Sequence, residues 1–195
     1  ELGWPDAGLA PASADASLRA LMLASAHPRL FSPGLDLVSL IEYDRAAMRH
    51  FMGRFAEMLW SLYGFRRPVV AAVNGAAAGI GCSFALLGDL IVAGESAYFL
   101  QAFRRIGLVP DGSATYHLPR MIGRARALEM MLLGEKIPAK TALAWGLINR
   151  CVPDADLLAT AKALALDLAN GPTKTLGMIR RLSWSSLDNS WDEQL

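Results

Sequence analysis

The chain has 195 residues, 19 basic against 18 acidic, for a net charge of +1, and 53% of them are hydrophobic. That supplies one core of domain size. A charge this near zero, with its arginines scattered rather than blocked, gives no electrostatic reason to expect nucleic acid or an anionic membrane surface as partner.

The chain opens on Glu1, with no basic segment leading into an apolar run, and reads as cytoplasmic. Residues Glu1–Ala16 are rich in Ala, Pro, Asp and Gly, which predicts a loose arm. Leu18–Ser25 reads as a buried strand. His27–Leu37 reads as an irregular loop, marked by Pro28, Pro33 and Gly34. From Glu42 to Gly64 the residues Met48, Phe51, Met52, Phe55, Met58, Leu59 and Leu62 follow helical spacing, with Gly64 as C-cap.

"PVVAAVNGAAAGIGCSFALLG" (Pro68–Gly88) is 21 residues without a charge. As one helix it would be long enough to span a bilayer. Gly75, Gly79 and Gly81 would then each cost about 1 kcal/mol against Ala. A strand over Pro68–Val73, a glycine turn and a helix from near Gly79 to Gly88 accommodates all three, so no membrane span is expected. Asp89–Gly94 is a further strand.

Thr115–Gly134 and Pro138–Gly146 read as helices, Leu147–Val152 as a short strand and Asp154–Gly171 as a helix. "PTKTLGMIRRL" begins another. Strands alternating with helices give the α/β class. The division expected is a core over residues 1–152 and a helical region over 153–195. Cys82 and Cys151 make no CxxC pair or disulfide framework. His27, His50 and His117 have no metal-ligand spacing, so no metal site is expected.

A helix starting at Gly79-Ile80-Gly81 leaves backbone N–H groups free at its first turn, where the helix dipole adds positive charge. That favours an oxygen which becomes negative during reaction, such as the enolate oxygen of an activated carbonyl. A phosphate is the rival ligand, but the segment lacks the Lys-Ser/Thr of a P-loop and the GxGxxG order. The plain alternative is that these glycines only permit helix and strand to pack closely. The turn "FSPGLDL" (Phe31–Leu37) offers a second N–H, and two donors on one oxygen make an oxyanion hole. In "IGLVPDGSATYHLP" Asp111 follows an apolar run and precedes Gly112. It is either a helix N-cap or a carboxylate held in an apolar pocket, with a raised pKa suited to moving a proton.

Together these segments resemble the crotonase, or enoyl-CoA hydratase/isomerase, superfamily, over about Leu18 to Asn170. "FSPGLDL" looks like the family's first oxyanion motif, and "RRPVVAAVNGAAAGIGCSFALLGDLIVAGESAYF" is similar to its second. "ALEMMLLGEKIPAKTALAWGLINRCVP" resembles the family's lower region. The resemblance implies a spiral of ββα turns with a helical C-terminal region, in a homotrimer or hexamer. It implies a coenzyme A thioester as substrate, with coenzyme A entering only as part of that substrate and no separate cofactor. The oxyanion donors it implies are the N–H groups of Leu35 and Ile80, with Gly34, Asp36, Gly79, Gly81, Ser83 and Phe103 lining the substrate site. Ile80 stands where the family usually has the middle of three glycines.

The family's hydratases use two glutamates, and the matching positions here are Ser83 and Phe103. Neither side chain exchanges a proton at neutral pH, so enoyl-CoA hydration is disfavoured. Asp111 matches the acid/base of several isomerases of the family, and its segment resembles the 1,2-epoxyphenylacetyl-CoA isomerases. The implied activity is an enoyl-CoA isomerase with Asp111 as proton shuttle. The alternatives are a hydratase-like lyase, a non-catalytic acyl-CoA-binding protein, and an Asp111-nucleophile hydrolase or dehalogenase. The 4-chlorobenzoyl-CoA dehalogenases also need a His and a Trp, and those positions here are Ala56 and Phe103.

Overall fold

The computed structural model of the chain describes Asp15 and residues 17–195, so the arm expected over Glu1–Ala16 lies, except for Asp15, outside the described residues. By its contacts the chain divides into two units. One joins Met22–Leu35 to Val69–Ala165. The other takes the described residues before Met22 together with Asp36–Pro68 and Leu166–Leu195. This partition does not follow a boundary at Val152: the segment from Asp36 to Pro68 groups with the C-terminal helices.

In the first unit the strands alternate between two sheets. β1 (Leu21–Ala24), β3 (Val69–Val73), β5 (Leu90–Gly94) and β8 (Arg150–Val152) form one sheet in that order. β2 (Leu30–Ser32), β4 (Ala76–Ala78), β6 (Tyr98–Leu100) and β7 (Ile137–Pro138) form the other. Each pass of the chain therefore lays one strand in each sheet before turning, which is a ββα spiral. β3 runs parallel to β5, β5 to β8, β2 to β4 and β4 to β6, whereas β7 is antiparallel to β6. All five residues of β3 are buried, as a small, β-branched strand of a parallel sheet should be. The core gathers Val73, Leu86, Ile91, Phe99, Leu118 and Met130.

All four strands of the second sheet escape the sequence reading, β7 being two residues at the start of the helix expected from Pro138. β2 sits inside the segment expected to be loop, β4 is the alanine triplet inside the expected glycine turn, and β6 follows β5 after a short turn. Each of these three has only three residues, too few for alternation to show. Helix α3 (Ile80–Ala85) ends earlier than its composition suggests. The long helix α4 (Ala114–Leu133) is broken at Gly123, whose φ of 77° and ψ of 157° are not helical. α5 (Ala139–Trp145) follows β7, and a 3₁₀ turn at Asp154–Asp156 leads from β8 into α6 (Leu157–Asn170).

In the second unit the helix expected over Glu42–Gly64 is present as α2 (Arg45–Tyr63), and a short helix outside the sequence reading, α1 (Leu37–Ile41), precedes it. Asp36 caps α1 and Asp44 caps α2, Asp44 accepting from the Ala47 N–H at 2.7 Å. The buried residues of α2 are Phe55, Met58 and Leu62, part of the expected apolar stripe. α7 (Thr173–Ser185) comes next, and α8 (Trp191–Gln194) starts with a capping box between Ser190 and Glu193. Among the described residues, no helix is long and apolar enough to cross a membrane.

Candidate functional site

Neighbouring parallel strands end side by side, and in open α/β sheets ligands bind beyond those C-terminal ends. Here β2, β4 and β6 are adjacent and parallel, with Ser32 paired to Ala77 and Ala78 to Leu100. The segments after them are Pro33-Gly34-Leu35, Gly79-Ile80-Gly81 and a 3₁₀ turn at Ala102–Ile106 that carries Phe103. The sheet register thus gathers both glycine turns and Phe103 at one edge.

The first two turns meet at backbone level. A Cβ built on Gly34, whose φ is +99°, would stand 3.0 Å from the Ala78 carbonyl oxygen and 3.8 Å from the Ile80 nitrogen. Gly81 packs against β2, where a Cβ would strike the Ser32 carbonyl and come within 2.6 Å of the Ser32 Cβ. Among the described residues, neither the Leu35 nor the Ile80 N–H donates a hydrogen bond to the protein. Ile80 is only 2% exposed, so its N–H has no bulk water to fall back on. Two unspent donors on neighbouring turns suit one incoming oxygen.

The Phe103 ring covers the second turn, with Cε2 and Cζ 3.8 and 3.9 Å from a Cβ placed on Gly79. Phe103 is 8% exposed and presents an apolar wall. Asp36 belongs to the other unit, and its carboxylate is engaged as the N-cap of α1, accepting from the Val38 N–H at 3.1 Å and the Ser39 hydroxyl at 2.7 Å.

Asp111 comes to the same helix from the other side. The Ser83 hydroxyl, on α3 and wholly buried, donates to the Asp111 carbonyl oxygen at 2.8 Å. A Cβ on Gly112 would lie 2.7 Å from the Ser83 Cβ and 3.2 Å from the Ile80 Cδ1. The Asp111 Oδ1 accepts from the Gly112 N–H at 2.6 Å, which leaves Oδ2 as the oxygen without a partner among the described residues.

Two expectations for Asp111 need correction. It is not the N-cap of α4; that position is Ser113, and the Asp111 carbonyl instead accepts from the Ala114 N–H at 3.4 Å. Nor is the carboxylate enclosed in an apolar pocket, since Asp111 is exposed. The loop's shape requires Gly112 at φ +65° followed by Ser113 at φ 62°, the one non-glycine residue in the left-handed region among those described. Strain of that kind collects at functional sites. In the sequence its only trace is the Asp-Gly-Ser turn signal.

Sequence reasoning also misses what Ser83 does. Its hydroxyl holds backbone rather than lining open space. Cys82 beside it is no nucleophile: burial pushes its thiol up to about 12, although the Gln101 carboxamide alongside pulls the other way. His117, in the first turns of α4, is pushed down to about 4, mainly by burial and then by the Arg120 charge, so its ring is neutral at pH 7.

Residues 7–194 match the family described as enoyl-CoA hydratase/isomerase. A protein of Rhodobacter capsulatus named "Probable enoyl-CoA hydratase" is 44% identical over 141 residues, 72% of this chain and 55% of its own length. This chain thus spans little more than half of that relative. The 1,2-epoxyphenylacetyl-CoA isomerase of Escherichia coli K12 is 40% identical over 186 residues, 93% of this chain and 70% of its own. Among solved structures, a monofunctional enoyl-CoA isomerase from M. smegmatis superposes with a TM-score of 0.77 at 34% identity, covering 95% of this chain and 80% of that one.

Proposed function

The chain belongs to the enoyl-CoA hydratase/isomerase family, and from that premise we propose that it is an acyl-CoA isomerase that moves a double bond from the 3,4 to the 2,3 position with one carboxylate, Asp111. The thioester oxygen accepts from the Leu35 and Ile80 N–H groups. Asp111 removes a proton from C2, and the C2–H electron pair forms a C1–C2 double bond as the carbonyl π pair moves onto the thioester oxygen, giving a dienolate conjugated with C3–C4 whose oxygen the two donors stabilise. The protonated Asp111 then delivers a proton to C4, which leaves the double bond at 2,3. Coenzyme A enters as part of the substrate, and no separate cofactor takes part.

The observation that carries this reading is the convergence on α3. The first turn approaches the Ile80 nitrogen, and the Asp111 loop is bonded to Ser83 one helical turn later. A single carboxylate suits an isomerisation, in which the proton leaves and returns on one face. Hydration by the family's usual means draws on two glutamates, and the positions that match them hold Ser83, whose hydroxyl is committed to backbone, and Phe103. The hydratase name among the relatives makes hydration the reading to test alongside.

The test is to assay the purified protein on 3-enoyl-CoA and 2-enoyl-CoA thioesters, together with Asp111→Asn. Conversion of the 3-enoyl substrate that drops by about 10³-fold in Asp111→Asn is expected, within the range for a lost acid/base. Hydration of the 2-enoyl substrate as the main turnover, or full isomerase activity in Asp111→Asn, would overturn the proposal.

A further inference from the structure

The structure ties the acid and the oxyanion donor to one short helix through a residue with no obvious chemistry of its own. Ser83 is wholly buried, so it meets no solvent and offers no open surface to a substrate. Its hydroxyl spends its proton on the Asp111 carbonyl oxygen at 2.8 Å, across 28 positions of sequence. Gly112 presses on the same side chain, with room for nothing larger than hydrogen between them. The loop it touches holds two consecutive left-handed residues, Gly112 and Ser113, a conformation that persists only where the surroundings impose it. Apart from the Ala114 N–H at 3.4 Å, the Ser83 hydroxyl is the only described donor to the Asp111 carbonyl.

We propose that Ser83 is the positioning residue for Asp111: its buried hydroxyl fixes the Asp111–Ser113 loop on α3, and so sets the carboxylate at a constant distance from the Ile80 N–H three residues earlier. This rests on the isomerase reading and adds to it a named cause for the acid's placement. Asp111 is exposed, so packing alone does not hold it. Catalytic geometry is sensitive at this scale, since a shift of about 1 Å in a reacting group can cost on the order of 10²-fold in rate. Ser83 touches no reacting atom and acts only through the loop.

The experiment is a double-mutant cycle of Ser83→Ala and Asp111→Asn on a 3-enoyl-CoA substrate, combined with amide hydrogen exchange of the folded Ser83→Ala protein. The expected result is a fall in kcat of roughly 10- to 100-fold in Ser83→Ala with KM changed by less than about twofold. The same substitution in the Asp111→Asn background should cost nothing further, because the group it positions is already gone. Exchange at Gly112 and Ala114 should quicken while β3 and β5 stay protected. Equal losses in both backgrounds, or wild-type kcat in Ser83→Ala, would overturn the inference. So would an unchanged exchange pattern, and that result would leave the isomerase reading standing. Full activity of Asp111→Asn alone would instead overturn the isomerase reading, and with it the catalytic half of this inference, whatever the exchange shows.

Discussion

Gly34 and Ile80 are 46 positions apart in sequence, yet a single methyl on the first would reach to 3.8 Å of the backbone nitrogen of the second. The approach is set by β2 and β4 lying parallel, so that the two turns leave the sheet together. Gly34→Ala adds that methyl at φ +99°, against the Ala78 carbonyl at 3.0 Å. The backbone of the first turn must move, and Leu35 moves with it. Gly34 is half-buried and its φ is one that Ala resists, so stability should fall by more than about 1 kcal/mol. If Leu35 and Ile80 are the oxyanion donors proposed above, losing one of the two costs about 3 kcal/mol of transition-state stabilisation, or about 10²-fold in kcat. Steady-state kinetics beside a thermal melt separates the two effects. Wild-type kcat in Gly34→Ala would count against Leu35 as a donor.

Gly81 should behave in the opposite way. Its Cβ would collide with the Ser32 carbonyl, which is backbone and has nowhere to go. Gly81→Ala therefore separates α3 from β2 at the base of the site. The expected loss is about 1–3 kcal/mol in urea-induced unfolding, as for overpacking of a core, with activity falling in proportion to the folded fraction. A Gly81→Ala protein of unchanged stability would show that the turn yields more easily than its packing implies.

These two glycines show what the sequence discloses and what it withholds. Gly34, Gly79 and Gly81 are legible as turn and helix-start signals, and the buried strand β3 is legible from its composition. Whether a glycine serves a ligand or only close packing is not legible, because that depends on the partner strand. Gly34 borders a free donor, whereas Gly81 meets Ser32. The strands β2, β4 and β6 are invisible for a related reason. Three residues carry no periodicity, and what makes them strands is pairing with neighbours far away in the chain. Asp111 is legible as a candidate acid, but its exposure and its bond to Ser83 are tertiary facts.

In the helical unit, Arg180 on α7 is 6% exposed and holds the C-terminal end of α2. Its Nη1 donates to the carbonyls of Tyr63 at 2.7 Å and Phe65 at 2.6 Å, and its Nη2 to Leu62 at 3.1 Å. A cation at a helix C-terminus is favoured by the dipole, and the planar fork serves several acceptors together. Arg180→Met keeps the volume and strips those carbonyls of their donor, which should cost about 3 kcal/mol. Arg180→Lys should recover less than half of that, since one ammonium cannot match the fork. Urea titration of both variants measures it, and full recovery by Lys would show that charge alone matters there.

His117 gives the fold a defined acid limit. Its folded-state pKa is lowered from an ordinary 6.5 to about 4, chiefly by burial. The folded state thus binds the proton less readily than the unfolded state. This contribution to stability is fully present above about pH 6.5, is lost as pH falls from there to about 4, and is gone below it. At about 1.4 kcal/mol per unit the loss is at most about 3 kcal/mol, less whatever solvent screening remains. His117→Gln has no proton to gain in this window. Its stability between pH 6.5 and 4 should therefore be flatter than wild type, while carboxylate titrations shared by both proteins cancel in the difference. Unfolding midpoints taken across that window measure the difference directly, and parallel curves for the two proteins would show that the His117 ring takes up its proton in the folded state as readily as in the unfolded one.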